Sequence, residues 1–191
     1  MILRTLIISC DSTMIRDRKM DTGTVYRKCL VGSEMVDWLI SVSTVTPTRV
    51  HSRSQAVGMW QVLVEEGVLL SPSNEKQFFD RYCFYKFCFE EDNFSEMPIL
   101  PTIEERRKAE SALVHCLALL NQLAPEANFR LILRKPPQER TTEEVDVVYE
   151  ELLHIQALSH LGDSIRKELA QVIAFEKHTR KGTVRKFTTD P

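Results

Sequence analysis

The chain has 191 residues, a formal net charge of −2, 43% hydrophobic residues and 27% charged residues. This is an ordinary balance for a folded protein, so wholesale disorder is disfavoured, and the length suits one domain or two small ones. The near-neutral charge argues against a generally basic nucleic-acid binder.

The first apolar run, Met1 to Cys10, is interrupted by Arg4 and Thr5. It is too short to cross a bilayer, which takes about 20 apolar residues. Asp11 follows at once without a small-residue cleavage pattern, so the run reads poorly as a signal peptide. The expectation is an N-terminal extension over 1–14, with a short helix or strand at most. No other stretch is apolar enough to span a membrane, which predicts a cytoplasmic protein. The five cysteines are odd in number and form no C-x-x-C, so reduced thiols are expected.

From Ile15 to Val31 the chain carries Arg16, Arg18, Lys19, Arg27 and Lys28 against Asp17 and Asp21. The plain reading is a solvated helix face with local ion pairs. The functional reading is contact with an anionic surface. Gly32 breaks the pattern, and Ser33 is a good N-cap for a short helix with Glu34 in its first turn. That helix should bury Val36, Leu39 and Ile40, with Met35 or Trp38 at its edge. After a turn at Thr44 to Pro47, Ser52 opens a longer helix. Its apolar face is Ala56, Met59, Trp60, Leu63 and Val64, and Gly67 ends it. Val68 to Leu70 reads as a short strand. Tyr82 to Phe89 reads as a second, with Cys83, Tyr85, Phe87 and Phe89 on one buried face. The order is three helices, then a hairpin.

Asn93 to Thr102 reads as a linker. A helix follows from Ile103 to Leu123, with Leu113, Cys116, Leu117, Leu120 and Leu123 on one face, and Pro125 is expected to close it. A short helical stretch covers Glu126 to Leu133. Thr141-Thr142-Glu143-Glu144 is a capping box, opening a helix with the stripe Val145, Val148, Tyr149, Leu152 and Gln156. Gly162 punctuates, and Asp163 is expected to cap a last helix with Ile165, Leu169, Val172 and Ile173 on one face. Thr183-Val184 is strand-like at best. Nothing in the chain has the spacing of a phosphate-binding glycine loop, a nucleophile elbow or a zinc or calcium site. The residues alone describe a binding or regulatory module with no catalytic, cofactor or metal residues.

The string Tyr26-Arg27-Lys28-Cys29-Leu30-Val31-Gly32-Ser33-Glu34-Met35-Val36-Asp37-Trp38-Leu39 resembles the core motif of DEP domains, named after Dishevelled, Egl-10 and pleckstrin. Gly32, Glu34, Val36, Asp37, Trp38 and Leu39 carry that motif. The run Val50 to Leu63 and the stretch Arg16-Asp17-Arg18-Lys19 are similar to the DEP domain of Epac-type Rap guanine-nucleotide exchange factors. Leu133-Arg134-Lys135-Pro136-Pro137, Arg140-Thr141 and Tyr149 to Ile155 resemble the same family, and Ala157 to Leu161, Lys167 to Ala170 and Gly182 to Val184 continue the likeness. The resemblance covers about Ile15 to Val184. It departs at Arg185-Lys186-Phe187, and around Met20 to Val25, where Thr24 stands in place of a common basic residue.

The resemblance implies an α+β, mainly helical fold: a winged-helix-like DEP domain of three helices and a β-hairpin, then an incomplete helical subdomain. The implied layout is an extension over 1–14, a DEP domain over 15–92, a linker over 93–102, connecting helices over 103–135 and the helical start of a cyclic-nucleotide-binding-like domain over 136–191. The family's nucleotide pocket and exchange machinery have no counterpart in this sequence. The implied molecule is therefore an N-terminal, non-catalytic regulatory and localisation piece, without cofactor and without cAMP. Leu152, Leu169 and Ile173 should lack the cover a complete domain provides.

By the same resemblance, Arg16, Arg18, Lys19, Arg27 and Lys28 would meet anionic membrane lipids or a membrane protein, giving peripheral membrane association within Rap signalling. The alternative is a protein-interaction module that docks on a receptor tail or masks an exchange factor. Nucleic acid is disfavoured, because the helix bearing Arg53 ends in Glu65-Glu66. Trp38 and Trp60 are expected in the core.

Overall fold

The computed structural model describes residues 1–19, 23–72, 76–89 and 99–175. Two compact units divide the chain at Asn128 and Phe129. The α+β, mainly helical architecture expected from the sequence is present, with one small antiparallel sheet.

The first unit opens with α1 (Ile2–Cys10) and a 3-10 turn at Ser12–Met14. Leu3, Leu6 and Ile7 recur at helical spacing and are buried with Ile8, so the segment expected as an extension supplies the core's first helix. Next come β1 (Arg16–Lys19) and β2 (Val25–Val31). The basic segment is thus an antiparallel hairpin, not a helix face. The aromatic and β-branched residues of β2 favour a strand. The register passes from Arg16 opposite Cys29 to Arg18 opposite Tyr26, leaving one extra residue on β2. Lys28 takes up that bulge with φ +49°, and its backbone N–H donates to Asp17 Oδ1 at 2.9 Å. Asp17 therefore stitches the bulge.

α2 (Gly32–Ser43) follows β2 without a loop, so its N-cap is Val31 rather than Ser33. Gly32 makes this passage feasible. Its N–H donates to Cys83 O at 2.9 Å, and a Cβ there would lie 2.2 Å from Phe79 O. Met35, Val36 and Leu39 are buried, Trp38 nearly so, and Ile40 only partly. α3 (Arg53–Glu65) starts as expected, with Ser52 Oγ accepting from Gln55 N. It ends as expected too, because Gly67 adopts φ +69°.

β3 (Leu69–Leu70) and β4 (Phe84–Phe87) form the expected hairpin, and β2 joins it to give the order β1-β2-β4-β3. Tyr85 and Phe87 enter the core, whereas Phe89 is exposed. The core's spine is aromatic: Trp38 to Trp60 at 6.4 Å, Trp60 to Phe78 at 6.1 Å and Phe78 to Tyr85 at 4.6 Å. The Trp38 Nε1 is buried without an acceptor among the described residues, whereas two other polar groups are satisfied locally. Trp60 Nε1 donates to Met35 O, and Gln61 Oε1 accepts from Phe78 N.

α4 (Ile103–Arg134) runs straight through Pro125, which was expected to end it. A proline inside a helix costs about 3 kcal/mol or more. The buried stripe Leu113, Leu117 and Leu120 continues through Ala124 and Ala127 on either side of the proline, which offsets that cost. Gly58 of α3 lies so close that a Cβ would stand 2.7 Å from Ala124 O. Leu123 faces solvent and Cys116 is half-buried.

The second unit contains the last turns of α4, α5 (Thr142–Leu153) and α6 (Asp163–Val172). The capping box forms, with Thr141 and Glu144 exchanging side-chain bonds to backbone N–H groups. Ile132, Leu133, Val148, Leu152 and Ala170 make a small core. Leu152 is fully buried, and Leu169 and Ile173 are partly covered, so the three are not left without cover. Gly162 is the N-cap of α6, with Asp163 as its first helical residue. Ile165 and Val172 are exposed, because α6 turns Leu169, Ala170 and Ile173 inward instead. Gln156 lies past the end of α5 and is exposed.

Arg140 is buried in this unit. Its guanidinium donates to the carbonyls of Ile132, Leu133 and Lys135 at the end of α4, and to Ala170 of α6. Helix-terminal carbonyls carry partial negative charge and lack intrahelical donors. They compensate the buried cation, although burial still pulls its pKa below the usual arginine value. Asp21, Ser73, Asn74, the stretch 93–98, Gly182 to Val184 and the departure at 185–187 lie outside the described residues.

Arg140→Ala removes the side-chain donor from Ala170 O and Lys135 O, while Ile132 O and Leu133 O keep the N–H groups of Lys135 and Phe175. A buried carbonyl left without a donor costs about 1–3 kcal/mol. The expected outcome is faster hydrogen exchange throughout α5 and α6, with protection in α1 to α3 unchanged.

Candidate functional site

The five basic side chains singled out in the sequence do not share one environment. Arg18 is 7% exposed. Its Nη2 donates to Glu34 Oε2 at 2.8 Å and to Met14 O at 3.4 Å. Its Nε is buried without an acceptor among the described residues. Lys28, at the bulge, is buried to the same degree. Arg16 is exposed, 3.6 Å from Glu34 Oε1, and donates to Thr13 O. Lys19 and Arg27 are exposed on β1 and β2. The hairpin thus divides the basic set into two interior cations and three that face water.

The DEP-like motif residues prove to be architectural. Gly32 admits the carbonyl of Phe79, and Glu34 receives Arg18. Val36 and Leu39 are wholly buried, and Trp38 packs on Trp60. Asp37 accepts from Arg53 Nη1 at 2.5 Å, while Asp80 takes Arg53 Nε and Nη2 at 2.5 and 2.7 Å. The carboxylates of Asp80 and then Asp37 hold that guanidinium more firmly protonated than usual. Arg53 is thereby engaged in tying α3 to α2. Trp38 and Trp60 are core residues, as expected.

The sheet has a second, outer face. Cys29, Val31 and Phe84 form a small buried cluster there, with Tyr26 packed against Phe84 at 5.6 Å. Beside it lies an open groove of about 480 Å³. Its walls include Val25, Tyr26 and Arg27 of β2, Leu70 of β3, Pro72, and Lys86 of β4. Val25 and Leu70 are 52% and 48% exposed. The sequence reading missed this groove. Alternation in β4 was the available signal, since Tyr85 and Phe87 inward place Phe84 and Lys86 outward.

No cluster of three or more His, Cys, Asp or Glu side chains suited to a metal occurs among the described residues. No helix among them is long and apolar enough to cross a membrane. Among the described residues no cysteine is in a disulfide.

Comparison with known families matches residues 12–87 to the domain found in Dishevelled, Egl-10 and pleckstrin. The chain carries a DEP domain. The matched span begins at the 3-10 turn before β1 and ends with β4, so α1 adds core to the DEP domain from outside it. Beyond this domain the likeness continues. The chain is 41% identical to Rap guanine nucleotide exchange factor 3 of Mus musculus over 96% of its length, and 41% identical to the Homo sapiens protein of that name over 95%. It is 35% identical over 96% to Rap guanine nucleotide exchange factor 1 of Caenorhabditis elegans. The chain spans 18% of the length of the first two relatives and 17% of the third. The Epac-type resemblance drawn from the sequence is borne out.

If Arg18 is structural and Lys19 is not, their replacements separate. Arg18→Leu is expected to lower stability by about 2 kcal/mol in urea denaturation, as for a hydrogen bond to a charged group. Adding Glu34→Gln to that variant should cost little more, and Lys19→Gln should change stability by no more than about 0.5 kcal/mol.

Proposed function

We propose that this chain is a non-catalytic regulatory and localisation module of the Rap exchange-factor type, and that its DEP domain tethers it to anionic membrane. The observation that carries this reading is the exposed edge of the β1–β2 hairpin. There Arg16, Lys19 and Arg27 face water beside the half-exposed Val25. Arg18 and Lys28 are removed from the contact set and serve the hairpin itself. The names of the relatives support the Rap setting. The reading assigns the chain no catalytic step, no cofactor and no cyclic nucleotide of its own. It places the protein in the cytoplasm at the membrane periphery.

The charge count sets the strength. Each basic side chain close to an anionic leaflet contributes about 1 kcal/mol. Three give weak, salt-sensitive attachment, since surface charges are screened over about 8 Å at physiological ionic strength. Firm localisation then needs a second contact, to a membrane protein or a Rap-pathway component.

Co-sedimentation with vesicles tests this. Binding should rise with phosphatidylserine content and fall as salt is raised. The combined variant Arg16→Gln, Lys19→Gln, Arg27→Gln should bind more weakly by on the order of 100-fold, from three losses of about 1 kcal/mol. Equal binding to neutral vesicles, or an unaffected triple variant, contradicts the reading.

A further inference from the structure

The groove on the outer sheet face differs from the hairpin edge in shape. A vesicle surface is broad and meets a protruding edge. The groove, about 480 Å³ and open to solvent, is instead a concave trough that suits an extended segment laid along it. We propose that it docks an extended acidic peptide segment of a partner protein, with an apolar side chain of that segment seated between Val25 and Leu70.

Charge complementarity selects the occupant. Arg27 and Lys86 are the only charged side chains lining the groove among the described residues, and both are cationic. They stand on β2 and β4, which pair through Leu30 opposite Tyr85 and Val31 opposite Phe84. The apolar part is also in place. Val25 and Leu70 expose about half of their surface, and the Tyr26 ring is held by Phe84 beneath. An extended chain puts alternate side chains on one face. Carboxylates can therefore reach the two cations while the residue between them covers apolar wall.

This reading does not depend on membrane tethering. Val25 and Arg27 are common to both surfaces, so an acidic segment in the groove competes with lipid for one cation. The test avoids Arg27 so that the two readings fail separately.

The probe is a fluorescein-labelled octapeptide of alternating glutamate and leucine, titrated by anisotropy and by backbone amide NMR against the full chain. The control is the alternating lysine–leucine peptide. Saturable binding of the acidic peptide alone is expected, with shifts centred on Val25 to Arg27, Leu70 and Lys86. Lys86→Glu and Leu70→Ser should each weaken it about fivefold, the size of a 1 kcal/mol loss. Their urea midpoints and vesicle binding should be unchanged. No saturation at millimolar peptide, equal binding of the basic peptide, or shifts elsewhere overturns the proposal. So do variants that lose vesicle binding while keeping the peptide, which would make the groove a lipid surface.

Discussion

A guanidinium taken out of water must find compensating acceptors, and in this protein Arg18 finds the carboxylate of Glu34. The pair sets much of the DEP domain's geometry. Glu34 sits in the first turn of α2, where the helix N-terminus favours negative charge. Arg18 reaches it from β1, so the hairpin is held against α2. Two residues before Glu34, Gly32 lets the chain pass the carbonyl of Phe79. Three residues after it, Asp37 receives Arg53 and ties α2 to α3. A stretch of eight residues, Gly32 to Leu39, thereby joins the hairpin, two helices and the segment leading into β4. The functional consequence is subtraction. Arg18 and Lys28 are buried, and of the five basic residues Arg16, Lys19 and Arg27 are the exposed ones.

Much of the fold could be read locally because its signals are local. Ser52 capping α3, Gly67 ending it, and the capping box at Thr141 each depend on residues within one turn. The features that escaped depend on partners far along the chain. The hairpin over 16–31 looked like a charged helix face, because a bulge at Lys28 breaks the two-residue alternation that marks a strand. Pro125 looked like a stop, because a tertiary contact, α3 pressing Gly58 against Ala124, is what supports the helix through it. α1 looked optional, because its apolar stripe is short and gains meaning only against the rest of the core. The candidate site shows the same division. The sequence named all five basic residues, but separating them required Glu34, sixteen positions from Arg18. The groove required β2, β3 and β4 to meet.

The two faces of the sheet edge suit a localisation module. A weak electrostatic contact gives reversible attachment that responds to lipid charge and salt. A groove with apolar walls and two cations can add the specificity that a flat charged contact lacks. Sharing Arg27 couples the two contacts. The relatives carry the name of Rap guanine nucleotide exchange factors, and this chain matches 18% of their length.

The central claim is that the hairpin edge, and not the rest of the DEP domain, meets the membrane. Paramagnetic line broadening with nanodiscs of phosphatidylserine and a gadolinium-bearing lipid tests it residue by residue. The account predicts the strongest broadening at the amides of Arg16, Lys19, Val25 and Arg27, with α3 and its Arg53 little affected. Broadening centred on α3, or on the exposed Ile165 and Val172 of α6 with the hairpin untouched, would contradict it.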